Sequence, residues 1–582
     1  MKSFLQQPLF LPMSKAEMQS LGWRELDVLL ITGDAYVDHP AFGVALLGRW
    51  LVAHGYRTGI VAQPAWKDEG GPGPASLAIM GRPRLFAGVS AGALDSMLAH
   101  YTAFRKIRRD DAYSPGGMAG ARPNRACLVY ANMVRAAFPG LPVVLGGIEA
   151  SLRRITHYDF WSDALRRSLL PDAKAELLVY GMGERAILEI AQRLEQDGPI
   201  TGIRGTARMG REEDIPADAP LIRLPAHEDM LQEPGLLVKA ALLLEQQVHD
   251  GDAWAVQAVG GRSLLLAPPA PPLSTEEMDA LYELPFSRRA HPAYKKPIPA
   301  EEMLRAGITS HRGCGGGCSF CSLALHQGRR IASRSEESLL REAAALARQP
   351  GFSGAITDVG GPTANMWQAS CAQAQDCRRT SCCFPKLCPS FQTRQHRHVA
   401  MLRKMRALPG IRHVRIASGI RADIALSEPE ALRAYTVEFT GGQLKIAPEH
   451  CALAVLRLMR KPSLEVFEAF VQAFYEHSAD AGRGQYVVPY LMSAFPGCTE
   501  AHMRELGRWL AARHWKPRQV QCFTPTPGTP ATAMFYAGTD AKGRPIPVAR
   551  TDAERLRQHR VLLHGKPQGE HDAVHRRSPG PA

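Results

Sequence analysis

No stretch of this 582-residue chain approaches the ~18 consecutive apolar residues of a membrane span, which argues against a helical membrane protein. The opening MKSFLQQPLFLPMSKAEM has no extended apolar core and no small-residue cleavage site. It reads as an ordinary start rather than a secretory leader, and a cytoplasmic protein with no membrane partner is expected. There is no long Lys/Arg run and no known nucleic-acid module, although 70 Lys and Arg against 56 Asp and Glu leave a formal net charge of +14. Such a surplus favours anionic partners, RNA among them, without specifying one. Cysteine is sparse outside one stretch, with eight of the twelve lying between Cys314 and Cys388. In a long chain of this kind, that clustering points to metal or catalysis rather than to disulfides. The length exceeds one ordinary domain, so two or three are expected.

The densest signal is His311-Arg-Gly-Cys-Gly-Gly-Gly-Cys-Ser-Phe-Cys321. Cys314, Cys318 and Cys321 have C-x3-C-x2-C spacing, which can wrap one loop around three corners of a cubic iron–sulfur cluster. Four cysteines usually close a 4Fe–4S cluster, so three suggest an iron left open for a ligand. The glycines let the backbone bend closely around it. Phe320 adds an aromatic face beside the third thiol. A Cys3His zinc site using His311 or His326 is the competing reading.

The aromatic-bearing form of this spacing resembles the cluster motif of radical S-adenosylmethionine (AdoMet) enzymes. The runs GDAYVDHPAFG, GGIEASLRRITHYDFW, TDVGGPTANMW, LKIAPEH and PYLMSAFPG together resemble the YgiQ-type radical SAM family, from about Asp27 to about His564. The resemblance implies a 4Fe–4S cluster, AdoMet bound at its open iron, and cleavage to a 5′-deoxyadenosyl radical. It also implies a (β/α)6 core and an electron donor of flavodoxin or ferredoxin type. It leaves the substrate unspecified.

Hydrophobic periodicity gives the organisation. Apolar runs at 27–32, 58–62, 84–89, 142–146 and 176–180 alternate with helical segments at 44–54 and 185–195, a doubly wound α/β pattern. Ligands in such sheets bind beyond the carboxyl ends of the strands. From Ala306, six strand-then-helix units follow, with strands at 306–310, 354–359, 413–417, 442–447, 485–492 and 519–523. Six such units predict a partial barrel with chemistry at its carboxyl-terminal strand ends. The expected fold is therefore α/β, a doubly wound, cobalamin-binding-like N-terminal domain before a (β/α)6 partial TIM-barrel core. Expected boundaries are 1–200 for the first domain, 201–300 for a bridge containing Ala267-Pro-Pro-Ala-Pro-Pro272, 301–535 for the core and 536–582 for an extension. Its tail from Lys566 is polar and reads as disordered.

In related radical SAM enzymes the N-terminal domain binds cobalamin, with a D-x-H-x-x-G signature where histidine is the cobalt ligand. Here Asp38 and His39 are adjacent, which argues against His39 as that ligand and for a capping or loop role. Cobalamin held without it stays open. By position, Gly360 and Gly361 resemble the glycine-rich turn that meets the AdoMet amino group, with Pro362 in place of a glutamate. Arg421, ending the third strand, could pair with the AdoMet carboxylate through its fork. Lys445, Glu449 and His450 end the fourth strand as candidate catalytic groups, against a salt-bridge role. Cys371, Cys377, Cys382, Cys383 and Cys388 share one 18-residue loop. Four of them, Cys371, Cys377, Cys382 and Cys388, are a candidate second metal site for zinc or an auxiliary cluster. Cys127, Cys451, Cys498 and Cys522 read as ordinary thiols, with a radical-chemistry role the alternative for Cys498 at its strand end.

The expected function is thus AdoMet cleavage on an unknown substrate, with methyl or methylthio transfer open. The rivals are a non-catalytic iron–sulfur electron-transfer or sensing protein and a zinc-stapled nucleic-acid-binding protein.

Overall fold

The computed structural model describes residues 5–67, 73–373, 377–517 and 520–563. The polar tail from Lys566 onward and Gln519 of the sixth core strand lie outside the described residues. Among the described residues, no helix is long and apolar enough to cross a membrane.

Five parallel strands stand in the order 58–62, 28–32, 86–90, 143–146 and 177–179. Val28–Thr32 lies between two neighbours, pairing Val28 with both Thr58 and Phe86, and all five of its residues are buried. That double burial is why the run is continuously apolar instead of alternating. The sheet does not stop at residue 200. Thr206–Gly210, Arg262–Leu266, Trp254–Val259 and Leu221–Arg223 extend it to nine strands, the first three joining antiparallel. The segment expected as a bridge thus lends four strands to this sheet, and also carries the helices His227–Gln232, Gly235–Asp250 and Thr275–Tyr282. Three of these strands join antiparallel and all four have part-exposed positions, a weaker apolar pattern than the buried parallel runs before them.

Residues 287–291 fasten the two halves. Ser287 and Arg288 donate their amides to the Asp38 carboxylate and carbonyl at 2.7 and 2.8 Å, and Asp38 donates its own amide to the Arg289 carbonyl. The Asp38 carboxylate also takes the Arg49 fork at 2.7 and 2.6 Å, with both side chains fully buried. Tyr294 accepts the Tyr36 amide at 2.8 Å, and His291 stacks on the Tyr36 ring. These contacts fill both side chains with structural work.

In the core, Gly307–Thr309 pairs in parallel with Asp358–Gly360, and Ala355–Ile356 with His413–Val414. Gln443–Glu449, Tyr486–Ser493 and Gln521–Cys522 form a second parallel group. Helices Glu336–Ala347, Gln395–Arg406, Pro429–Ala434, Leu464–Asp480 and Glu500–Ala511 alternate with these strands. Ile308, Val359, Val414, Leu444, Ile446 and Val487 bury their side chains against those helices. The opposite faces of the strands turn inward, as in a partial barrel. The helix Pro530–Ala537 spans the expected 535/536 boundary. Beyond it, Asp552–Leu563 is tied to the fifth strand end, where Gln558 accepts the Ala494 amide at 3.1 Å. This extension is part of the packed core.

Candidate functional site

The cysteine loop leaves the first core strand and is held on three sides. Arg312 Nη1 meets Glu184 at 2.5 Å, and its Nε donates to the Tyr282 hydroxyl at 3.1 Å. His326 Nδ1 lies 2.9 Å from Ser151 Oγ, which accepts the Gly181 amide. The loop is therefore anchored at both flanks to helices of the N-terminal half, two of which follow strands of its sheet. Ser319 donates its amide and hydroxyl to the Met459 and Leu458 carbonyls, at 3.1 and 2.7 Å.

Cys314, Cys318 and Cys321 are half-buried. Burial pushes the Cys314 thiol up, while the Arg421 guanidinium opposes that rise. Burial, then its two sister thiols, pushes Cys321 up to about 12. A Cβ on Gly316 would stand 2.7 Å from Arg421 Nη1 and 3.3 Å from Cys314 Sγ, so glycine alone leaves the room this cradle uses. Three soft donors with a cation beside them fit an iron–sulfur cluster, whose thiolates sit on separate irons. Among the described residues, no three His, Cys, Asp or Glu side chains converge on one point as a single metal ion requires. His311 and His326 are engaged by Ser310 and Ser151 instead.

Gly360 and Gly361 end the strand beside the loop. Ser310 donates its amide to the Gly360 carbonyl at 2.7 Å. A Cβ on Gly361 would meet the His311 carbonyl oxygen at 2.5 Å and its Nε2 at 2.8 Å. One step inward, Asp358 accepts the Ser418 amide and hydroxyl at 2.9 and 3.1 Å, and burial raises its pKa. These residues line a cavity of about 790 Å³ shared by both halves. Its other wall consists of strand ends of the N-terminal sheet, including Asp34, Ser90, Gly92, Gly147 and Glu184. Burial brings Asp34 up to about 6 against the pull of Arg122, which lies 2.9 Å away. The volume is ordinary for a cofactor or substrate site.

Several expected residues are placed otherwise. Arg421 gives its fork to Asp423, at 3.0 and 2.7 Å, and turns Nη1 towards Cys318 Sγ at 3.9 Å. Its bidentate face is thus taken by Asp423, with Nη1 left beside the cysteine loop. His450 Nδ1 accepts the Cys451 and Ala452 amides, at 2.9 and 3.0 Å, and its Nε2 lies 3.6 Å from Cys498 Sγ. It caps the following chain, and burial takes its pKa down to about 3. Cys498 is buried with it, and its thiol is pushed up to about 12 by burial. Glu449 is buried 3.9 Å from Lys461, at a register shift in the strand pair, and burial raises its pKa. Lys445 lies on the inward face, but exposed, where its charge reaches Asp358. Phe320 sets its ring edge-on to Phe495, with centroids 6.2 Å apart. His39 Nδ1 accepts the Ala41 amide at 3.0 Å, and Nε2 faces Arg288 at 3.0 Å. Burial, then that cation, takes His39 well below its ordinary pKa.

Glu184, Ser151, Arg312 and Asp358 were not singled out from the sequence as site residues. Glu184 and Ser151 lie in or beside glycine-marked strand ends, which was the available signal.

Residues 10–307 match a family model described as radical SAM N-terminal. A UPF0313 protein of Geobacter sulfurreducens is 48% identical over 95% of this chain and 92% of its own length. A UPF0313 protein of Pseudomonas aeruginosa is 40% identical, covering 96% of this chain and 84% of its own. Among solved structures, the radical S-adenosylmethionine methyltransferase TsrM of Kitasatospora setae, with cobalamin and a 4Fe–4S cluster bound, aligns with a TM-score of 0.50. The two are 16% identical, and the alignment covers 91% of this chain and 84% of that one. This likeness concerns the fold.

Proposed function

The chain belongs to the UPF0313 family of radical SAM proteins, and from that premise we propose that it holds a 4Fe–4S cluster on Cys314, Cys318 and Cys321 and cleaves AdoMet reductively. The cluster, when bound, supplies one electron to the AdoMet sulfonium, giving methionine and a 5′-deoxyadenosyl radical. Cys314, Cys318 and Cys321 would hold the cluster, leaving AdoMet a ligand position on it. Arg421 keeps a cation beside Cys318. Gly360 and Gly361 offer backbone groups to AdoMet where a side chain would intrude. The observation that carries this reading is the contact of Gly361 with His311, which joins the glycine turn to the start of the cysteine loop at one wall of the cavity. Strand ends of the N-terminal sheet supply the opposite wall of the cavity.

The substrate accepts hydrogen abstraction at carbon, and the net charge of +14 favours an anionic one. A flavodoxin- or ferredoxin-type carrier is the matching electron source.

The assay is anaerobic reconstitution, reduction, and chromatography for 5′-deoxyadenosine, with Cys314→Ala beside the wild type. Product from the wild type alone supports the proposal. A full, reducible cluster that yields none favours electron transfer or sensing.

The cavity also favours a second reading, in which it takes a corrinoid as well. It lies beyond the carboxyl ends of parallel strands and is lined there by glycine. His39 has both ring nitrogens engaged, so a corrinoid would bind without it. Spectral titration with hydroxocobalamin tests this, and no binding at 100 µM protein, roughly the weak end for a cofactor, would exclude it.

A further inference from the structure

The second cysteine loop is clamped directly onto the first. Cys382 donates its amide to the Gly315 carbonyl at 2.8 Å, and Ser381 Oγ donates to the Gly316 carbonyl at 2.5 Å. A side chain at Gly317, where φ is +58°, would run into the Thr380 carbonyl. The loop then closes on itself. Cys388 donates its amide to the Cys382 carbonyl at 2.7 Å, and Phe391 donates to the Cys388 carbonyl at 3.0 Å. Phe391 is the strand partner of Cys371. Cys371, Cys382 and Cys388 are therefore knotted together by the backbone. Cys377 has its carbonyl 2.8 Å from His249 Nε2, and Cys371 and Cys377 both lie within electrostatic reach of the Cys382 thiol.

Cys383 is fully buried and packs in the cluster that Cys314 also touches, so it lies between the two cysteine groups. Arg329 Nη2 lies 3.7 Å from Cys382 Sγ, a cation set beside a thiol as Arg421 is beside Cys318. Arg378 and Lys386 are exposed on the loop's outer side.

We propose that Cys371, Cys377, Cys382 and Cys388 hold an auxiliary iron–sulfur cluster that relays electrons to the cluster on Cys314, Cys318 and Cys321. A single zinc needs four thiolates about 2.3 Å from one point. Among the described residues no three such side chains meet at one point, here or at Cys314, Cys318 and Cys321. A multinuclear cluster instead takes each thiolate at its own iron. The step moves no atoms. A reduced flavodoxin- or ferredoxin-type carrier gives one electron to the auxiliary cluster, which is reduced. That cluster is then reoxidised as the electron passes to the first cluster. The exposed Arg378 and Lys386 give an anionic carrier an attractive face. The relay rests on the function proposed above, whereas the metal assignment stands apart from it.

The test is iron, sulfide and zinc analysis of the full chain after anaerobic reconstitution. About eight irons and eight sulfides per chain are expected in the wild type, as two cubane clusters contain. The triple variant Cys314→Ser/Cys318→Ser/Cys321→Ser should keep about four of each, with the spectrum of a reducible cluster. The double variant Cys371→Ser/Cys377→Ser should lose about four, and flavodoxin-driven AdoMet cleavage should fall at least tenfold relative to dithionite-driven cleavage. About four irons in the wild type with none in the triple variant would overturn the assignment, as would one zinc per chain retained by the triple variant. If the double variant fails to fold, the wild-type and triple-variant counts still decide. A wild type with two clusters that makes no 5′-deoxyadenosine would sink the cleavage reaction and leave the auxiliary site standing.

Discussion

Gly361 lies against His311 so closely that a β-carbon would stand 2.5 Å from the His311 carbonyl oxygen. The obstacle is backbone, which a rotamer change cannot remove. At Gly360 the obstacle is the Ser418 hydroxyl, the end of a side chain that can turn. Gly361→Ala should therefore lower stability by about 1–3 kcal/mol and weaken AdoMet binding at least tenfold, with Gly360→Ala clearly milder. Melting curves and equilibrium dialysis check both, and equal effects of the two variants would contradict the geometry.

The Arg421 charge near Cys318 should stabilise a reduced, more negative cluster. Arg421→Gln should move its midpoint potential down by roughly 60 mV, a tenfold shift for one electron, and Asp423→Asn should move it up. Spectroscopic redox titration reads both signs. A potential unchanged in Arg421→Gln would show that the guanidinium acts only through packing.

Asp38 and His39 are neighbours with separate duties. Asp38→Ala leaves Arg49 buried without its partner and frees the Ser287 amide. It should cost about 3–5 kcal/mol in urea unfolding. His39→Ala removes one loop hydrogen bond and should cost about 1 kcal/mol without altering corrinoid binding. Loss of corrinoid binding in an otherwise stable His39→Ala protein would overturn the engaged-histidine account.

Acid should unfold this protein early. Burial takes His157, His398 and His450 down to about 3 and His311 to about 4. Each is neutral in the fold but takes up a proton near pH 6.5 once unfolded. Their contribution is therefore present above 6.5 and is lost as pH falls from 6.5 towards 4 for His311 and towards 3 for the other three. The slope reaches up to about 1.4 kcal/mol per pH unit for each histidine. Melting temperatures between pH 7.5 and 4.5 should fall steeply, and a flat profile would mean that these rings are accessible to water.

His450→Ala separates capping from catalysis. It strands the Cys451 and Ala452 amides, which should cost about 2–4 kcal/mol. At a temperature where the variant is folded, the pH profile of AdoMet cleavage should match the wild type. A missing limb in that profile would restore His450 as a proton carrier.

The sequence by itself determined the alternation of strands and helices, because that signal is local. Glu336–Ala347 begins where Ser335 accepts the Ser338 amide, and Glu500–Ala511 where Thr499 accepts the His502 amide. Capping and periodicity of this kind are written within a few residues. The cysteine spacing is equally local. Tertiary structure alone decided the partners. Glu184 meets Arg312 across 128 positions, and Arg460 meets Glu245 across 215. Arg421 turned to Asp423 and the cysteine loop, and His450 turned to amides beside it, because each became buried and a buried polar group takes whichever partner packing brings within reach. Which strands face solvent, which glycines meet backbone, and which charges meet in the cavity depend on the closure of both sheets. A pattern confined to neighbouring residues carries none of that information.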